Sequence, residues 1–516
     1  MNIGTILIYI SLAVSIVSLF FLAKSARGDA NSLMSAERLF YLSGITIVFT
    51  SILLLVAFLT GSFNFSYVYS YSSKDMHFIY KIAAFWAGQE GTFLLWILLL
   101  FIFGALVIRK KDEDENIVLS IVIITQIFIL IVLCIHSPFK YVWQAFPNRF
   151  RPGIAPPDGS GLNPLLLDPW MIVHPPILFL GYASATIPFA YAIAALLKKD
   201  YKSWVQRSYN WLLFCMTSLG IGIFLGAYWA YKVLGWGGYW GWDPVENSSL
   251  IPWLIIVALM HGLYIQKRKN ILVKSNLFMA IISFVLIFYG TFLTRSGVLS
   301  DFSVHSFADL GLSGYLIFFI IFFLFIGVFL FIKRFKEIET SQLSNKILTL
   351  ENLLTYGILT LCVYSLFILT GTSMPILSKI FLSNPTSVSI KFYNTISIPL
   401  GIFILSFLIL ATFYQFKKDI NKKNIILITS ISVISGILLN VFHTKSISAY
   451  IFITLGLFII IQNIINLIKY KTENIISSRL AHIGVGFLVI GFITSNIHSF
   501  AVQKILPMGV EKDIES

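Results

Sequence analysis

The stretch GWGGYWGWDPVENSSLIPW, Gly235 to Trp253, sets Trp236, Trp240, Trp242 and Trp253 with Tyr239 among glycines. Asp243, Pro244, Glu246 and Asn247 follow directly. Indole faces bind flat apolar ligands. Gly235, Gly237, Gly238 and Gly241 let such a ligand come close to the backbone, and they make a regular helix costly. The plainer reading is an aromatic belt at a membrane interface. It accounts for isolated tryptophans better than for four spaced by glycines and followed by acidic and amide side chains. A sugar can stack on such faces. A porphyrin is larger, more apolar and compatible with a membrane, and it demands axial ligands, which turns attention to the histidines.

There are eight histidines. His174, in LDPWMIVHPPILF, and His305, in LTRSGVLSDFSVHSF, lie in segments that flank the tryptophan stretch. They could ligate a haem resting on it. His261, in IVALMHGLYIQKRK, and His482, in SSRLAHIGVGF, lie inside apolar runs, each a few residues from basic side chains. A histidine within a membrane span is expensive and marks a functional candidate. One reading is a hydrogen bond across helices. The other, favoured by the matching depth, is that the two imidazoles supply both axial positions of a b-type haem. His77, His136, His443 and His498 fall near outer helix ends and receive no role. Arg295, in TRSGVL, either grips a haem propionate bidentately or snorkels to the interface.

These residues need helices to position them. Of the 516 residues 57% are hydrophobic and 12% charged, with mean hydropathy +0.86. That composition points to an all-α polytopic membrane protein, one integral membrane domain over 1–516. A span needs about 20 apolar residues. Fourteen are expected, near 4–23, 39–60, 83–108, 117–136, 172–197, 208–233, 250–266, 271–293, 313–332, 350–370, 391–415, 424–442, 448–468 and 480–498. MNIGT carries no positive charge, so the first run reads as a span and not as a cleavable signal. Alternate loops and their helix ends hold 25 of the 37 basic residues, which places that face in the cytoplasm and both termini outside. The net charge of +14 is thereby a topology signal and excludes nucleic acid as a partner. Loops 137–171, 234–249 and 294–312 fall outside, so the tryptophan segment (234–253) is external, between the sixth and seventh helices. Cys134, Cys215 and Cys362 form no CxxC and supply no redox pair.

Four stretches carry a resemblance: WGGYWGWDPVENSSLIPW, YKIAAFWAGQEGTFLLWILLL (80–100), GLNPLLLDPWMIVHPPILFLGY (161–182) and FLTRSGVLSDFSVHSFA (292–308). They resemble the CcmF branch of the WWD-domain haem-handling proteins of cytochrome c maturation. The resemblance implies a cytochrome c haem lyase, with His174 and His305 ligating a substrate haem and His261 and His482 a resident haem b. It implies haem delivered by the chaperone CcmE, partners of CcmH and CcmI type, and thioether attachment to the CxxCH motif of an apocytochrome c, with quinol as a candidate electron donor. The expected location is a bacterial inner membrane, with the active face periplasmic; a mitochondrial inner membrane is the alternative. Family members usually continue into an external C-terminal domain and a last helix, which are expected to be absent here. Competing readings are the nitrite-reductase-specific lyase branch, the much shorter CcsA-type synthase, a haem exporter or transporter without bond-forming activity, and a quinol-oxidising b-haem protein. Intramembrane acid or lysine relays would favour a transporter, and the spans are almost empty of them.

Overall fold

In hydrocarbon a backbone has no water to bond, so each apolar run closes its hydrogen bonds internally as a helix. A computed structural model describes residues 2–234, 238–299, 303, 311–382, 385–415, 429–437, 446–469 and 473–498. Its long helices are α1 (Ile3–Ser25), α2 (Ala30–Thr60), α3 (Gln89–Lys110), α4 (Glu115–Ile135), α5 (Pro169–Ser184), α6 (Thr186–Lys198) and α7 (Ser203–Val233). They continue with α8 (Pro244–Lys269), α9 (Val273–Arg295), α10 (Ser313–Arg334), α11 (Leu350–Thr372), α12 (Ile390–Gln415), α13 (Ile447–Lys469) and α14 (Glu473–His498). Among the described residues 13 stretches are long and apolar enough to cross a membrane, α5 and α6 together making one of them. The chain is a polytopic all-α membrane protein. Of the fourteen expected spans, that at 424–442 lies mostly outside the described residues; residues 429–437 of it are helical.

Helix ends differ from expectation where polar caps extend an apolar run. The second helix begins at Ala30, capped by the Asp29 side chain on the Asn31 N–H. The seventh expected span, 250–266, begins earlier, at Pro244, capped by Asp243.

The chain divides into two compact units, Met1–Trp229 with Trp242–Lys417, and Ala230–Gly241 with Lys418–Ser516. In the first unit α1 packs on α2 and α4 through small polar residues. Ser11 Oγ meets Thr46 Oγ1 at 2.6 Å, and Gln126 Nε2 donates to Ser15 and Ser43 at 3.0 and 2.8 Å. Small side chains let helices approach, and hydroxyls bond across the gap. At the basic ends of the helices, Asp114 receives Lys198 at 2.9 Å and Arg207, and Arg207 also reaches Glu113 at 2.9 Å. Further along, α5 packs on α3, and α8 on α9 and α11. In the second unit α13 and α14 cross at Gly456 and Gly486, where a Cβ on Gly486 would stand 2.6 Å from Ile460 Cγ1.

Candidate functional site

Asp168 caps α5, accepting the Trp170 N–H at 2.9 Å, and Pro169 follows in the first turn. Pro175 and Pro176 interrupt the helix's own bonding. Pro175 has no N–H to give the Met171 carbonyl, which instead accepts Trp86 Nε1 at 3.4 Å. That bond ties the histidine helix to the AFWAGQEGTF stretch leading into α3. The His174 ring lies against α7. Its Nδ1 is 2.7 Å from the Gly222 carbonyl oxygen, and a Cβ on Gly226 would stand 2.6 Å from its Cε1. At Gly222 a Cβ would come within 2.9 Å of Leu178 Cα, so both glycines set the approach of the two helices. A carbonyl oxygen only accepts. Nδ1 therefore donates, and in the neutral ring this leaves Nε2 as the nitrogen that would bind a metal.

The tryptophan segment is shaped by its acidic and amide residues. Asp243 caps α8, with Oδ1 accepting the Val245 N–H at 2.8 Å, while Glu246 Oε2 accepts the Asp243 N–H at 3.1 Å. Pro244 fills the first helical position. The Asp-Pro pair, which as sequence reads as a turn, thus starts the helix as a capping box. Asn247, fully buried, donates to the Trp242 carbonyl at 3.0 Å and to Thr372 Oγ1 at 3.1 Å. Trp242 adopts φ +57°, a left-handed conformation that only held residues keep. What holds it is Tyr393, stacked at 5.0 Å and 9°, and Asn394, whose Oδ1 accepts its Nε1 at 2.8 Å. Ser303, from the segment that carries His305, donates to Asp243 Oδ1 at 2.9 Å.

Trp253 sits deeper, its Nε1 donating to the Met216 carbonyl at 2.9 Å beside Gly220, so α7 receives both this indole and His174. Within the second unit Tyr239 stacks on Tyr231 at 4.4 Å and 6° and meets Phe492 edge-on. Trp240 is half-buried, and a Cβ on Gly238 would meet nothing within 4 Å. Trp236, Gly237 and His305 lie outside the described residues.

Arg295 does not snorkel. It is 6% exposed, its guanidinium over the rings of Phe93 and Phe179 at 5.1 and 5.7 Å. Phe179 belongs to the His174 helix and Phe93 to α3. Tyr71 shares the neighbourhood: burial pushes its hydroxyl up to about 12, Glu90 adds to the rise and Arg295 opposes it.

His261 lies on α8 in the first unit. Its Nδ1 is 2.8 Å from the Val257 carbonyl one turn back, which fixes the same tautomer as in His174. His482 lies on α14 in the second unit, one turn beyond Arg479. That arginine is 1% exposed and donates to Asn463 Oδ1 at 3.1 Å.

Gly222, Gly226, Tyr393, Asn394, Ser303 and the two phenylalanines under Arg295 escaped the sequence reading. Of these only the glycines left a local signal, the GIFLG spacing at 222–226 that marks close helix approach.

The sequence model of a family described as "Cytochrome C assembly protein" matches residues 86–299. Those residues run from Trp86 through His174, the tryptophan segment and His261 to just past Arg295. The "Cytochrome c-type biogenesis protein CcmF" of Pseudomonas fluorescens is 31% identical over 483 residues, 89% of this chain and 71% of that protein. The chain belongs to the CcmF family. The CcmF of Escherichia coli K12 is 34% identical over 402 residues, 76% of this chain; the match spans 60% of that protein, less than two thirds of its length. A solved structure titled "Cytochrome c Heme Lyase CcmF" superposes with TM-score 0.75 and 24% identity, over 95% of this chain and 76% of that one. At that identity the superposition supports the CcmF fold. With these matches the chain is a multi-pass membrane protein of the cytochrome c-type biogenesis group.

Proposed function

We propose that this CcmF-family chain is a cytochrome c haem lyase of a bacterial inner membrane. It takes haem from a CcmE chaperone at the periplasmic face and works with CcmH- and CcmI-type partners on apocytochrome c. The observation that carries the proposal is the state of two histidines. The Gly222 carbonyl holds a proton on His174 Nδ1, and the Val257 carbonyl holds one on His261 Nδ1. Metal-ligating histidines donate their other ring nitrogen in this way, which fixes tautomer and ring orientation.

His174, with His305, would hold the iron of the substrate haem. The Trp242–Tyr393 stack and its neighbours would support the flat ring and leave one edge uncovered. At that edge each CxxCH thiol adds its S–H across a vinyl C=C, forming a thioether with no net oxidation. The protein contributes mainly orientation. His261 and His482 would hold a resident haem b, which when bound supplies one-electron reduction of the substrate iron, with quinol as donor. The residues fit such a group: with its Nδ1 facing the Val257 carbonyl, His261 would offer Nε2 to the iron at a membrane depth where a bare imidazole would be costly.

Purified protein should show a low-spin bis-histidine b-haem spectrum that disappears in His261→Ala and His482→Ala. His174→Ala should keep that spectrum and lose capture of chaperone-borne haem. Retention of the spectrum in both membrane-histidine variants overturns the buried pair. Cytochrome c production in a strain lacking its own lyase, with and without the chaperone, tests the lyase assignment. Haem attachment that ignores the chaperone contradicts it.

A further inference from the structure

The second unit buries a polar layer outside the proposed chemistry. On α13, Gln462, Asn463 and Asn466 are 1%, 1% and 2% exposed, and Arg479 on α14 is 1% exposed. Four strongly polar side chains inside a pair of membrane helices carry a large desolvation cost unless something compensates. Part of the compensation is visible. Asn463 Nδ2 donates to the Ile459 carbonyl at 2.8 Å, which turns its Oδ1 toward Arg479 Nη1 at 3.1 Å. The amide therefore aims the guanidinium. Part is not: the nitrogen and oxygen of the Gln462 amide, and Asn466 Nδ2, meet no partner among the described residues. Buried amides in that condition are exceptional and ask for a further polar partner.

One member of the layer shares a helix with His482. Arg479 and His482 are three positions apart on α14, neighbours on one face. The glycine crossing at Gly456 and Gly486 brings the two helices close enough for α13 amides to reach α14. An intramembrane arginine with fixed orientation matches a planar carboxylate, which it can grip with two parallel N–H bonds. Gln462 and Asn466 add neutral donors.

We propose that Arg479, aimed by Asn463 and flanked by Gln462 and Asn466, receives a propionate carboxylate of the tetrapyrrole that His482 ligates. The inference rests on the resident haem b of the proposed function. It assigns Arg479 a positioning role: it fixes the rotation of the ring about the iron–His482 bond and keeps a positive charge beside it.

The test compares haem b with its propionate dimethyl ester, each added to haem-depleted full-length protein, with affinity read from the low-spin spectrum. Wild type should bind haem b at least about tenfold more tightly than the ester, the scale of a hydrogen-bonded charge pair. Arg479→Met should erase that preference and shift the midpoint potential of the bound haem negative, because a cation beside the ring is lost. Arg479→Lys should retain part of both, and Asn463→Leu should weaken the preference while keeping the charge. Equal preference in wild type and Arg479→Met overturns the proposal. So does a wild type that binds ester and haem alike, an outcome independent of whether any variant folds. Failure of wild type to bind either form removes the haem b reading itself, and this inference with it.

Discussion

His174 rests on a glycine surface of α7, so the decisive substitution for it lies on another helix. A methyl group at Gly226 would stand 2.6 Å from the imidazole Cε1 and 2.9 Å from Nδ1, closer than real Cβ contacts come. The ring must swing or the helices must part, and either breaks the 2.7 Å bond to Gly222 that sets the tautomer. Gly226→Ala should therefore lower capture of chaperone-borne haem by about tenfold, the loss that accompanies disturbance of a histidine's outer partner. The b-haem spectrum should stay intact, since His261 takes its proton acceptor from its own helix. Spectral titration of purified variant with haem-loaded chaperone measures both. Full capture by Gly226→Ala would separate His174 from haem binding.

From Asp243 the tryptophan segment forms the N-terminal cap of α8, and its acidic residues can be tested as such. Asp243 Oδ1 serves two donors, the Val245 N–H and Ser303 Oγ. Asp243→Asn keeps the acceptor and should be mild. Asp243→Ala loses a cap worth about 1 kcal/mol together with the tether to the His305 segment. It should weaken external haem capture far more than Asp243→Asn, and equal effects would mean that the carboxylate acts by charge alone. A second element, the loop before α5, carries a pH dependence. The Lys74 and Gly159 N–H groups on Asp158 hold its carboxyl below the usual range. A depressed folded value means that the stability is present above the unfolded value of about 3.9 and is lost as pH falls through the lowered one. Hydrogen exchange around 158–161 should accelerate on acidification below about pH 4, and Asp158→Asn should flatten that response.

For the whole molecule, hydropathy made the spans legible because each is a local property of about 20 residues. The helices found at 313–334, 350–372 and 390–415 lie within a few residues of their expected bounds. The histidines on α5, α8 and α14 were legible for the same reason, polar groups in apolar runs. Their supports were not. His174 and Gly222 are 48 positions apart, and Trp242 and Asn394 are 152 apart; no periodicity announces such pairs. Asp243 and Glu246 were visible as chemistry but not as a capping box, since the same Asp-Pro pair writes a turn or a helix start. Asp112, Glu113 and Asp114 are a further case: three acids on the basic face look like noise in a charge count, yet they join three helices. Tyr191 donates to Asp112, while Lys198 and Arg207 converge on Asp114, whose side chain is 4% exposed. Arg207→Ala should strand that carboxylate and lower stability by about 2–3 kcal/mol, below the range for fully buried pairs because Arg207 keeps some solvent contact. Removing both charges, as Arg207→Gln with Asp114→Asn, should cost less than Arg207→Ala alone, since no buried charge is left uncompensated. Thermal unfolding of the detergent-solubilised variants measures the difference. A double variant less stable than Arg207→Ala would show that the corner is held by the attraction itself, in which case the acids earn their place on the basic face as fasteners between helices.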